Sequence, residues 1–85
     1  MAEISNFYGI IISMQYNDHN PPHFHVRYGE YRATITITNS IVNGKLPRRA
    51  LNLVFEWLDL HKEELLENWE RIENRKELQK INPLD

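Results

Sequence analysis

Between Asn17 and His25 the chain reads Asn-Asp-His-Asn-Pro-Pro-His-Phe-His, which places three of its four histidines and an aspartate within one short stretch. Imidazole and carboxylate are the side chains that ligate divalent metals, and imidazole is the general acid and base of neutral pH. His23 and His25 lie two apart. On a strand they share a face, with Cβ atoms about 7 Å apart, so both can reach one ion or one phosphate. The two prolines remove two amide donors and push the residues before them to extended conformations, so the connection from Asn17 to Pro22 is a stiff loop. That loop can bring Asp18 and His19 to the same place.

Three chemistries fit. His19, His23 and His25, with Asp18 as a further donor, have the ligand types for zinc, nickel or iron, which makes a divalent metal the candidate cofactor. His23 and His25 could instead act as general base and general acid in phosphodiester cleavage, with Arg27 or Arg32 stabilising developing negative charge, as in a small ribonuclease. In the third, purely structural reading the histidines bond the loop carbonyls and hold the turn in shape. Arg48 and Arg49, with Lys45, flank a helix start where a phosphate could bind. An acidic or anionic ligand therefore has Asp18, His19, Arg32, Arg48 and Arg49 as candidate contacts beside the histidines.

The elements that must position these groups follow from alternation. Phe7 to Tyr16 is β-branched and aromatic and is expected to be one strand, with Ile10, Ile12, Met14 and Tyr16 on one face and Ile11, Ser13 and Gln15 on the other. His23 to Gly29 alternates again, with Phe24, Val26 and Tyr28 inward and His23, His25 and Arg27 outward. Tyr31 to Thr38 is the third strand, with Arg32, Thr34 and Thr36 outward, and Ile41-Val42 adds a short fourth at the edge. Pro47 suits a helix start. Apolar residues then recur at helical spacing from Ala50 to Leu58 and from Leu65 to Ile72, which predicts helices over about 47–59 and 61–76; one long bent helix is the alternative. Trp57 and Trp69 fall on the apolar stripe as core anchors, His61 is placed to cap the second helix, and Asn82-Pro83 to close it. The expected fold is α+β, a three- to four-stranded antiparallel meander covered on one face by two C-terminal helices. Its other face would display Ser13, Gln15, His23, His25, Arg27, Arg32, Thr34 and Thr36.

Composition narrows the classes. With 85 residues, 41% hydrophobic and 26% charged, the chain has the size and make-up of one globular domain, residues 1–85. The absence of cysteine removes thiolate ligands, thiol nucleophiles and disulfides and fits a cytoplasmic setting. No leader-like start and no apolar run long enough for a membrane span is present, so no membrane partner is expected. Residues 1 to 50 carry five basic side chains against three acids, and residues 51 to 85 five against nine. That basic footprint is too thin for specific duplex DNA, while RNA stays among the candidate partners.

The stretches FYGI, NDHNPPHFHV, KLPRRAL and ELLENWE together resemble a family of small bacterial proteins catalogued as a domain of unknown function, over about Phe7 to Trp69. NDHNPPHFHV carries most of the likeness. The resemblance implies a cytoplasmic protein encoded beside a second small protein, an arrangement similar to toxin–antitoxin pairs, and so a small partner protein. It implies no particular reaction.

Overall fold

A computed structural model describes residues 2–85. Five strands in chain order form one antiparallel sheet, β1 (Ala2–Phe7), β2 (Ile10–Met14), β3 (His23–Tyr28), β4 (Tyr31–Thr36) and β5 (Val42–Gly44), followed by one long helix, α1 (Arg48–Glu73). The α+β class and the antiparallel meander are as expected; the counts of strands and helices are not.

The single strand expected over 7–16 is two strands. Tyr8 and Gly9 both adopt positive φ, +50° and +81°, the backbone of a tight two-residue hairpin whose twist matches its flanking strands. Phe7 then pairs with Ile10. An aromatic residue at the first turn position hides the turn, because the β-branched pattern runs straight across it. β1 is itself irregular, with a register shift between Glu3 and Ser5 that leaves both Ile4 and Ser5 buried. Such a bulge erases the alternation by which a strand is recognised.

At the other end β4 stops at Thr36, short of the expected Thr38. The Thr36 carbonyl accepts from Ser40 N–H and its hydroxyl from Ile41 N–H, which folds the chain back before β5. β5 is displaced one residue onward from the expected Ile41-Val42 and pairs Val42 with Ile35 and Gly44 with Ala33.

The two expected helices are one, kinked. His61 has non-helical dihedrals (φ −122°, ψ 21°) in mid-helix; its Nδ1 lies 2.6 Å from Glu64 Oε1 and its ring packs against Trp57. The His61-to-Glu64 spacing thus bends the helix without ending it, since both flanking stripes stay on the core: Ala50, Val54, Trp57 and Leu58 before the kink, Leu65, Trp69 and Ile72 after it. The helix ends at Glu73, short of residue 76. Arg75 takes φ +54°, and the amides of Arg75 and Lys76 donate back to the carbonyls of Ile72 and Arg71, a Schellman closure made without its usual glycine.

Residues 74–85 are a tail laid back over the core. Asn68, itself buried, donates to the Gln79 carbonyl and accepts from the Gln79 amide. Trp57 Nε1 donates to the Asn82 carbonyl, and the Ile81 amide donates to the Ile4 carbonyl on β1. Ile81 and Leu84 are buried with the main cluster, so Asn82-Pro83 belongs to this tail and not to a helix end. The core lies between helix, tail and one sheet face; Ile12, Ile35, Val54 and Trp57 are buried in it together, and the rings of Phe7 and Phe24 pack against that of Trp57.

Candidate functional site

The opposite face of the sheet is organised in cross-strand rows. Pairing registers place Glu3, Ser13, His25, Thr34 and Asn43 in line across all five strands. The row on one side of it runs Ile11, Arg27, Arg32, and the row on its other side places His23 beside Thr36. Inward Phe24 and Val26 force His23, His25 and Arg27 outward, because successive side chains alternate. The His25 and Arg27 rows together line a concavity of about 500 Å³ that includes Ser13, His25, Arg27, Arg32, Thr34 and Asn43, with Glu3 contributed by the edge strand.

At one side of this surface three groups converge. The Asn17-to-Pro22 loop folds back so that Asp18 Oδ2 lies 2.9 Å from His25 Nε2 and 3.3 Å from His23 Nε2. All three atoms fall within 4.8 Å of one another, and the side chains retain only 15–22% of their exposure. His23 Nδ1 lies 2.8 Å from the Pro21 carbonyl. A carbonyl only accepts, so this nitrogen carries the hydrogen and the ring is fixed in one tautomer. The structural reading in which a histidine bonds a loop carbonyl is therefore realised at His23. The His23 ring also packs against those of His25 and Trp69, with centroids 5.4 Å away in each case. This face is thus not wholly free of the helix, whose far half brings Trp69 to its rim.

Of the candidates read from sequence, the structure gathers Asp18, His23 and His25. His19 is exposed and lies outside the cluster, so Asp18 takes the place it had in the expected ligand set. Asp18 occupies that place because the stiff loop turns its side chain back over β3, whereas His19 follows it outward. Arg27 and Arg32 are directly opposite on β3 and β4, and neither is in an ion pair among the described residues. Arg48 and Arg49 do not join them; they line a separate depression with Asn52, Leu53 and Glu56.

Sequence reasoning missed Glu3, Asn43 and Trp69 as parts of this neighbourhood. Glu3 lay on an unrecognised strand and Asn43 just past the short edge strand expected at Ile41-Val42. Only the helical register of Trp69 was visible, not the strand end it reaches.

A small helix-backed antiparallel sheet with a His-His-Asp cluster on its outer face is the class that fold and site define. Residues 9–70 match the model of the family described as Domain of unknown function (DUF4160), well over half of the chain, and the chain belongs to that family. No curated protein and no solved structure matches it. No helix among the described residues is long and apolar enough to cross a membrane.

Proposed function

We propose that the protein is an anion-binding component of a small two-protein module, holding a phosphorylated ligand such as single-stranded RNA in the concavity of its outer sheet face. The observation that carries this reading is the Arg27–Arg32 pair. Like charges directly opposite on neighbouring strands destabilise a sheet, and with neither side chain in an ion pair among the described residues the arrangement fits a surface that an external anion completes. Ser13, Thr34 and Asn43 supply neutral donors beside them. Guanidinium groups match phosphate oxygens in a bidentate fork.

Calorimetric titration with inorganic phosphate and with a short single-stranded RNA tests this. Binding should weaken as salt rises, since contacts to a phosphate backbone release counterions. It should fall sharply in Arg27→Gln and Arg32→Gln. Equal binding by the double variant would remove the proposal.

The gene arrangement that the resemblance implies gives the same face a second candidate occupant, a partner protein presenting an acidic segment. Co-expression with the neighbouring gene product should then give one peak in size-exclusion chromatography, and Arg27→Gln should split it. A ribonuclease built on His23 and His25 has less support. Acid and base must stand on opposite sides of a phosphorus in an in-line displacement, whereas here the two Nε2 atoms converge on one carboxylate oxygen.

A further inference from the structure

We infer that Asp18, His23 and His25 form a binding site for a late first-row divalent cation of the zinc and nickel type, three ligands gathered at the rim of the anion-binding face. The site goes beyond the anion-binding reading and does not depend on it.

The argument begins with the tautomer of His23. Because Nδ1–H is committed to the Pro21 carbonyl, the neutral ring has only a lone pair at Nε2. That lone pair faces Asp18 Oδ2 across 3.3 Å. Two acceptors opposed at this range repel unless a positive charge lies between them. A metal-binding histidine has the same outer arrangement: the far ring nitrogen donates to a backbone carbonyl, which fixes the ring and leaves the near nitrogen free to ligate.

His25 completes the set. Its Nε2 points at the same carboxylate oxygen from 2.9 Å. In that contact Nε2 carries the hydrogen; on ligation the neutral ring would move this hydrogen to Nδ1, and Nε2 would present a lone pair. Tetrahedral ions with bonds of about 2.0 to 2.1 Å hold their ligand atoms about 3.3 Å apart. The three atoms here, mutually within 4.8 Å, reach that spacing by small side-chain rotations. Two imidazoles and one carboxylate select zinc, nickel, cobalt or iron over magnesium and calcium, which prefer oxygen alone. Three protein ligands also leave a coordination position open for a further ligand.

Preorganisation supports the same reading. Both histidines lie on one strand at a fixed spacing, Asp18 is delivered by a proline-stiffened loop, and the His23 ring is packed against Trp69. A cluster that only tied down a loop would not need its rings to aim at one point.

The test uses the whole chain freed of metal by chelation. Titrated with zinc chloride or nickel chloride in a calorimeter, the wild type should bind one ion per chain. His23→Ala and Asp18→Asn should each weaken binding by more than the roughly 10- to 100-fold that loss of an outer-shell partner costs, while His19→Ala should leave it unchanged. Far-UV circular dichroism and melting curves separate lost ligation from lost folding. A second readout needs no change in the cluster: nickel should quench the emission of Trp69 saturably, and Trp69→Phe should remove that quench while calorimetry still shows the ion. An absence of both heat and quench in the wild type would overturn the inference. So would binding unchanged in both His23→Ala and Asp18→Asn. Arg27→Gln/Arg32→Gln should keep its zinc, so failure of phosphate binding and failure of metal binding would be seen separately.

Discussion

Both faces of the sheet are made by the same strands, residue by alternate residue, yet they obey different rules. On the inner face Ile10, Ile12, Met14, Phe24 and Ile35 are buried in one cluster with Trp57 and Val54, and shape decides what is tolerated. On the outer face two arginines stand opposite one another and two imidazoles crowd a single carboxylate oxygen, arrangements that a fold in isolation does not require. If the outer face binds an anion as proposed, stability and binding fall on opposite sides of strands β3 and β4. Substitutions one residue apart should then separate the two properties.

The largest effect is expected at Phe24, between His23 and His25 in sequence but wholly buried, its ring edge-on to Trp57 with centroids 5.9 Å apart. Phe24→Ala removes a large core side chain and leaves a cavity, at a cost of about 3 to 5 kcal/mol. That is a large share of the stability of a domain this size, and urea denaturation should show a lowered midpoint or no folded baseline at all. A loss below about 1 kcal/mol would break the comparison, because the inner face would then tolerate what a packed core does not.

Gly44 sits where the faces cannot be separated. Its φ is +110°, and a Cβ added there would lie 2.5 Å from the Arg32 carbonyl oxygen and 2.8 Å from the Ala33 Cα. Both obstacles are backbone, so β4 itself must shift. Gly44→Ala should cost about 1 to 3 kcal/mol from strain and overpacking. Because Arg32 moves with that backbone, phosphate affinity should fall along with the melting temperature. Loss of one without the other would show that the β4–β5 edge is not mechanically tied to the outer face.

How much of this was legible beforehand depended on the range of the signal. Strict alternation in β3 and β4 showed which side chains share a face, and it placed His23, His25, Arg27 and Arg32 on the outer one. The paired prolines marked a stiff loop. Alternation failed at β1, where a bulge buries two successive residues, and at Tyr8-Gly9, where a turn carries an aromatic residue instead of asparagine or aspartate. The kink at His61 was visible as a break, but whether the helix stops or bends depends on its packing with the core. The choice of Asp18 over His19 is a matter of how the loop folds back over β3, and no spacing rule encodes that. Nor does any periodicity foretell that Asn68 would hold the tail through both backbone groups of Gln79.

The smallest effect on stability, and the sharpest test of the division of labour, is expected at Arg32. It faces Arg27 directly, and both side chains are exposed. Removing one of two opposed like charges should relieve repulsion of the order of 0.2 to 1 kcal/mol, so Arg32→Gln should leave the protein as stable as before or slightly more so. The gain should shrink as salt screens the pair. Phosphate and RNA binding should fall in the same variant. A stabilised protein with lost affinity is the pattern of a side chain kept for its ligand at the expense of its fold. Destabilisation of more than about 1 kcal/mol would instead mean that the guanidinium stem packs on its neighbours, and the outer face would then share the structural task of the inner one.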